Sequence, residues 1–230
     1  MQTHTIEMLS TFVGLCDFMP LFSNVILFRG QPISKKLLPS IARSDPSKDP
    51  TKREREAIRQ MRLLGASLLT DSSLSDLDVM VLAQHFGHHT RLLDWTTNPL
   101  AALWFACASS EPGDAYVYGL EANSLLATYI YEVDPFEIRE SVAFQPRNAN
   151  PRVNAQHGWF TLHPYSDASH VFVPLEEEPT LSTSFTGFKI PEKNRNPLLQ
   201  SLDLVGVNER TLLPDLVGLS RYLNWKIHET

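Results

Sequence analysis

The 230-residue chain is short of the features that would classify it at a glance. It has two cysteines, Cys16 and Cys107, too few for a disulfide framework and in keeping with a reducing compartment. No apolar run reaches the roughly 18 residues that a membrane-spanning helix needs. The start, Met1-Gln2-Thr3-His4, lacks the basic-then-apolar order of a secretory signal. A cytoplasmic protein without membrane contact is therefore expected. A basic excess is also missing: the formal charge is −6, which weighs against a protein that wraps nucleic acid. There is no Gly-x-Ser-x-Gly elbow, no P-loop and no Gly-x-Gly-x-x-Gly, so no nucleophile or phosphate-loop signature is present. Internal repeats and low-complexity tracts are absent too.

What is present suffices for a core. Hydrophobic residues make up 43% of the chain and charged residues 20%, as in soluble globular domains. Apolar spacing predicts a helix over residues 5–18, and Val25-Ile26-Leu27-Phe28 predicts a short buried strand. Charged and apolar spacing predicts helices over 52–64 and 76–86, the second stopping at Gly87. Residues 98–109 predict the clearest helix. Asn98 suits the N-cap, Pro99 the first turn, and the following run through Cys107 carries no charge. A helix apolar all round is buried, so it belongs at the centre of the fold. Runs at 115–119, 127–133, 141–145, 157–163, 170–174 and 184–190 predict strands of a mainly antiparallel sheet. Helices are expected at 192–204 and 209–226, the latter with a stripe of Leu212, Leu216, Leu219 and Leu223. The expected fold class is α+β, in one domain spanning residues 1–230, with N-terminal helices, a buried central helix on the sheet, and C-terminal helices.

Three polar clusters stand at the ends of these apolar elements. Arg29 and Gly30 close the first strand; an arginine fork beside glycine suits phosphate or carboxylate recognition, or a salt bridge to an acid such as Asp94. Residues 83–99 are expected to be a loop between apolar helices, yet hold His85, His88, His89, Arg91, Asp94, Thr96 and Thr97. Arg91 and Asp94 are spaced to pair, either locking the loop or shaping a pocket. Thr96 and Thr97 precede a helix N-terminus, where hydroxyls can hold a phosphate or ribose, or where capping alone explains them. The spacing of the three histidines lacks the convergent ligands of a zinc site, so no metal is expected. In the third cluster, 152–161, Gln156 precedes Gly158 and suits either a ligand hydroxyl or a turn-stabilising amide. Glu176-Glu177-Glu178 is expected to be an exposed acidic loop, and both cysteines to be core.

Charge is unevenly spread. Residues 29–62 hold ten basic and four acidic residues, a net +6, which leaves −12 for the rest of the chain. That leaves open either a solvated helix face or a basic surface that meets phosphates, including nucleic acid.

Phe28-Arg29-Gly30-Gln31, Leu37 to Arg43, Gln84-His85-Phe86-Gly87, the run from Thr90 to Ala106, and Arg152, Gln156, Gly158 and Phe160 together resemble the FRG domain family. The resemblance implies a bacterial or phage-related setting among defence-type genes, including toxins, without supplying a reaction. A more distant resemblance is to ADP-ribosyltransferases of the Arg-Ser-Glu type. It implies that Arg29 and Gly30 hold the phosphates of NAD as substrate, with Thr96, Thr97 and the following helix as the second element. Gln156 matches the start of the third element, but Gly158 stands where the catalytic glutamate belongs, and no glutamate occurs between Ser141 and Leu175.

Three functions follow as expectations. The first is an NAD-consuming or ADP-ribosyltransferase-like enzyme. In it Arg29, Gly30, Arg91, Thr96 and Thr97 bind NAD, and Gln156, His85 and Asp94 serve the reaction toward a protein or other acceptor. The second is a non-catalytic module for a nucleotide-like small molecule or a nucleic-acid end. The third is a protein-interaction domain in which the same residues form an internal polar network.

Overall fold

The computed structural model describes residues 1–19, 25–69, 71, 73–147 and 150–228. Among the described residues seven strands form one mixed sheet in the order β1-β7-β4-β2-β3-β6-β5. They are β1 (Gln2–Thr5), β2 (Ile26–Gln31), β3 (Leu92–Thr96), β4 (Ala115–Glu121), β5 (Val142–Phe144), β6 (Gly158–Leu162) and β7 (Phe185–Ile190). Neighbours run antiparallel except β1 beside β7.

Among the described residues the helices are α1 (Leu9–Phe18), α2 (Thr51–Leu64), α3 (Asp76–His85), α4 (Pro99–Cys107), α5 (Pro151–Ala155), α6 (Glu192–Leu204), α7 (Glu209–Leu212) and α8 (Leu216–His228). Alternation along the strands sends successive side chains to opposite faces. Phe28, Val117 and Phe188 pack with α1, α4 and α6. Leu92, Phe160 and Phe144 lie on the same face further along the sheet and pack with α2 and α3. Leu27, Leu93, Trp95, Tyr118 and Leu120 point the other way, under Leu37, Leu175 and Leu181 of irregular segments. The protein is a single α+β domain with helices on one face of the sheet.

Helix α4 is central, as its lack of charge requires. Asn98 caps it, its Oδ1 accepting from Leu100 N at 3.0 Å and Ala101 N at 3.4 Å. Its far end is held by Arg195 of α6, which is 6% exposed. Arg195 donates to the carbonyls of Cys107, Ser109, Glu111 and Gly113. One guanidinium thereby satisfies acceptors that a helix end leaves open.

Several expected elements differ. Residues 2–5 are a strand paired to β7, and α1 starts only at Leu9. Residues 127–133 form irregular structure with a 3-10 turn at Ile130–Glu132, and residues 170–174 give one isolated bridge, Ser166 to Val171. The expected helix over 209–226 is two, because Pro214 cannot continue it. Of its leucine stripe, Leu212 is buried, whereas Leu216 is 83% exposed. The expected loop at 83–99 holds β3, an interior strand of the sheet. Glu176-Glu177-Glu178 is not a simple exposed loop. Glu176 accepts from Leu37 N at 3.0 and 3.2 Å, and Glu178 from Ser141 Oγ at 2.5 Å. Both cysteines are buried, and burial pushes their thiols up to about 12.

Candidate functional site

Strands β2 and β3 share one paired position, Phe28 opposite Thr96. Beyond it they part. β2 continues on β4 through Gln31, while β3 runs along β6. The gap opens a cleft of about 350 Å³. Phe28, Gly30 and Pro32 line it from β2 and the turn that follows, Asp94, Trp95 and Thr96 from β3, Ala102 and Phe105 from α4, and Gln156 from the end of α5.

Arg29 lies in this cleft with 14% of its side chain exposed. By register it sits opposite Tyr118 on the non-helical face, and its guanidinium reaches into the gap. Nη1 donates to the Asp94 carbonyl at 2.7 Å and stands 3.6 Å from Asp94 Oδ2. Nε is buried without a hydrogen-bond partner, and among the described residues nothing accepts from Nη2. Burial lowers the Arg29 pKa, assisted by Arg43, and outweighs the opposing pull of Asp94. This cation is desolvated more than its surroundings repay, and an anionic ligand would supply the missing compensation.

Gly30 is glycine because α4 crosses it. A Cβ there would collide with the Ala102 carbonyl oxygen and stand 2.6 Å from Ala106 N. The glycine therefore admits the helix, which forms the cleft wall.

The sequence-selected residues divide between cleft and interior. Arg29, Gly30, Asp94, Thr96 and Gln156 meet at the cleft. Arg91 does not. It is 1% exposed and pairs with Glu54, not Asp94: Nε to Oε2 is 2.8 Å and the Arg91 amide donates to Oε1 at 2.8 Å. Its Nη2 donates to Thr51 Oγ1 at 2.9 Å, and its guanidinium lies 4.7 Å from the Phe136 ring centre. Asp94 sits on the opposite face of β3 from Leu93, and its Oδ1 accepts from Gln84 Nε2 at 2.8 Å. The Thr96 hydroxyl is committed, donating to the Gln156 carbonyl at 2.5 Å and accepting from Asn98 N at 2.9 Å. Thr97 is exposed and lines a separate depression beside Gln145 and His157. The N-terminus of α4 offers no free amide. Pro99 has none, Asn98 Oδ1 takes the next two, and Ala102 N donates to the Asn98 carbonyl. Capping, not anion binding, explains this turn.

Gln156 donates from Nε2 to the Leu212 carbonyl at 3.1 Å, and Arg152 pairs with Asp215 at 2.5 Å. The C-terminal helices are thus tied beside the cleft. His85 is half-buried near this pair. Burial first, then Arg152, pushes its imidazole below the ordinary value, against Asp215 and Asp94.

Sequence reasoning missed Glu54, whose charge looked solvated on an amphipathic helix, and Phe105, whose position in an apolar run gave no sign of facing a cleft. It also missed a buried chain behind Trp95. Trp95 Nε1 donates to Thr161 Oγ1 at 2.9 Å, and Thr161 Oγ1 lies 2.8 Å from His163 Nε2. Ser141 Oγ stands 3.4 Å from His163 Nδ1 and donates to Glu178. Burial, with Arg29 and Arg91 nearby, lowers His163 to about 3.

Residues 24–115 match the family model of the FRG domain. Over these residues the chain is similar to the FRG domain. The match contains β2, α2, α3, β3 and α4, and hence Arg29, Asp94 and the helical wall of the cleft. Gln156 lies outside the FRG match and completes the cleft from α5. No curated protein and no solved structure matches the chain. Other hollows lie away from this cleft. A shallow one of about 550 Å³ runs along Tyr129 to Val142, where Asp134 and Glu137 already face Arg55. One of about 80 Å³ sits between Trp104, Tyr222 and Trp225. No helix among the described residues is long and apolar enough to cross a membrane.

Proposed function

We propose that the FRG domain binds a nucleotide-like anion of the NAD class in the cleft between β2 and β3, with Arg29 as anchor. The observation that carries this reading is the Arg29 guanidinium. It is buried to 14% exposure, its Nε has no partner, and it lines a 350 Å³ cleft. A desolvated arginine fork beside open space suits a phosphate, and Phe105 and Pro32 offer apolar surface for a planar ring. The resemblance to ADP-ribosyltransferases supports the same occupant.

Binding is favoured over ADP-ribosyl transfer. Asp94 is the one carboxylate among the described cleft residues, and Gly158 occupies the place of the transferase glutamate. Binding to nucleic acid through residues 29–62 is less well supported. Arg29, Lys35, Lys36, Arg55, Arg59 and Arg62 each face a carboxylate, which cancels much of the local +6. A cytoplasmic location belongs to the proposal on the strength of the two buried cysteines, and a defence-type setting on the strength of the FRG resemblance.

Equilibrium dialysis of purified protein against NAD, ADP and adenosine tests the reading. NAD and ADP bind, and adenosine, without phosphate, binds at least about tenfold more weakly. Failure to bind both NAD and ADP, or equal affinity for adenosine, overturns it.

A further inference from the structure

We infer that Asp94 is the hydroxyl-reading residue of the cleft, accepting from the vicinal diol of a ribose, and that Gln84 is its positioning residue. The inference rests on the nucleotide reading above.

The orientation follows from a hydrogen-bond chain that leaves little choice. The buried Thr90 donates its hydroxyl to Gln84 Oε1 and accepts from Leu92 N at 3.1 Å. Its own amide donates to Ser40 Oγ at 3.1 Å. Gln84 Oε1 is thereby the acceptor, so its NH₂ group faces Asp94 and donates to Oδ1 at 2.8 Å. One carboxylate oxygen is occupied. The other, Oδ2, stands 3.6 Å from Arg29 Nη1, beyond a direct hydrogen bond, and the Asp94 side chain is 59% exposed along the cleft.

A fixed carboxylate oxygen beside a buried guanidinium sorts a ligand by charge. Phosphate is repelled from Asp94 and drawn to Arg29. Hydroxyl donors fit Asp94, which accepts and cannot donate when ionised. A carboxylate accepting from ribose hydroxyls is an established use of this chemistry in nucleotide sites. The side chain expected for that role, Thr96, has already committed its hydroxyl to Gln156 and Asn98. The class of ligand is therefore a ribonucleoside phosphate with both ribose hydroxyls free.

Titration calorimetry with ADP and 2′,3′-dideoxy-ADP tests this. The wild-type protein binds ADP at least about tenfold more tightly, about 1.4 kcal/mol. Asp94→Ala brings the two ligands to within about twofold, and Asp94→Asn, which keeps the shape, also loses most of the preference. Gln84→Leu lowers the ratio of the two affinities, a readout that a general loss of stability does not move. If both ligands bind equally to wild type and both are lost in Arg29→Lys, the hydroxyl assignment falls and the phosphate anchor stands. If neither ligand binds, both readings fall.

Discussion

Arg29 bridges the split between β2 and β3 by donating from Nη1 to the Asp94 carbonyl at 2.7 Å. A side chain here does what a ladder hydrogen bond does elsewhere in the sheet. The strands stay close enough to share a core yet far enough apart to leave a cleft. The cost is a desolvated guanidinium with Nε unpaired, a cost that an anion in the cleft would offset. Fold and site depend on the same residue, so a change at Arg29 must be read for stability and for binding together.

The Arg91–Glu54 pair is structural. Both side chains are fully buried, at 1% and 0% exposure, and removing one strands the other's charge. Glu54→Gln should destabilise the fold by about 3 kcal/mol or more. Arg91→Met combined with Glu54→Leu should recover much of that loss. Urea unfolding of wild type, Glu54→Gln and the double variant checks it. A Glu54→Gln protein within about 0.5 kcal/mol of wild type would show the pair to be dispensable.

Gly30→Ala should also destabilise, by about 1–3 kcal/mol, because the new methyl meets the α4 backbone rather than a movable side chain. Displacing α4 shifts Phe105, so ligand affinity should fall with stability. A thermal unfolding curve unchanged from wild type would contradict the close approach.

His163 sets an acid dependence. Its ordinary value is 6.5 and the native protein holds it at about 3, so between these values the unfolded chain binds more protons. Stability is complete above about pH 6.5 and falls as the pH drops toward 3, by up to about 5 kcal/mol from this residue. Native carboxylates such as Asp78, held low by Arg147 and Ser75 against burial, add to the loss in the acid part of that range. His163→Gln removes the imidazole's share, so its stability between pH 4 and 6.5 should be flatter. Parallel pH profiles for the two proteins would mean that His163 is readily protonated in the native state.

The legible parts of the sequence were those where local chemistry and final burial agree. Asn98-Pro99 before an uncharged run yielded α4, and Phe28-Arg29-Gly30 marked the cleft edge. β3 was hidden because Thr90 to Thr97 reads as a polar loop. Its polar side chains are satisfied by partners on other elements, Gln84, Glu54, Gln156 and Thr161. Arg91 and Asp94 are three apart and looked like a pair, but residues at that spacing point to opposite faces of a strand. That one misread period hid the Glu54 partner of Arg91. The strand expected at 127–133 carries β-branched and aromatic residues, but it meets the edge strand β5 only at its start, where Ala127 N donates to the Ala143 carbonyl at 3.1 Å, and then turns away as a 3-10 turn.

Whether Arg29 anchors an anionic nucleotide is decided by one comparison. NAD affinity is measured by calorimetry for wild type and Arg29→Lys, with thermal unfolding of each as the check on folding. Lysine keeps the charge but loses the fork and the reach to the Asp94 carbonyl. Wild type should bind NAD, and the folded variant should bind it at least about tenfold more weakly. Equal affinity in the two proteins, or no NAD binding by wild type, would contradict it.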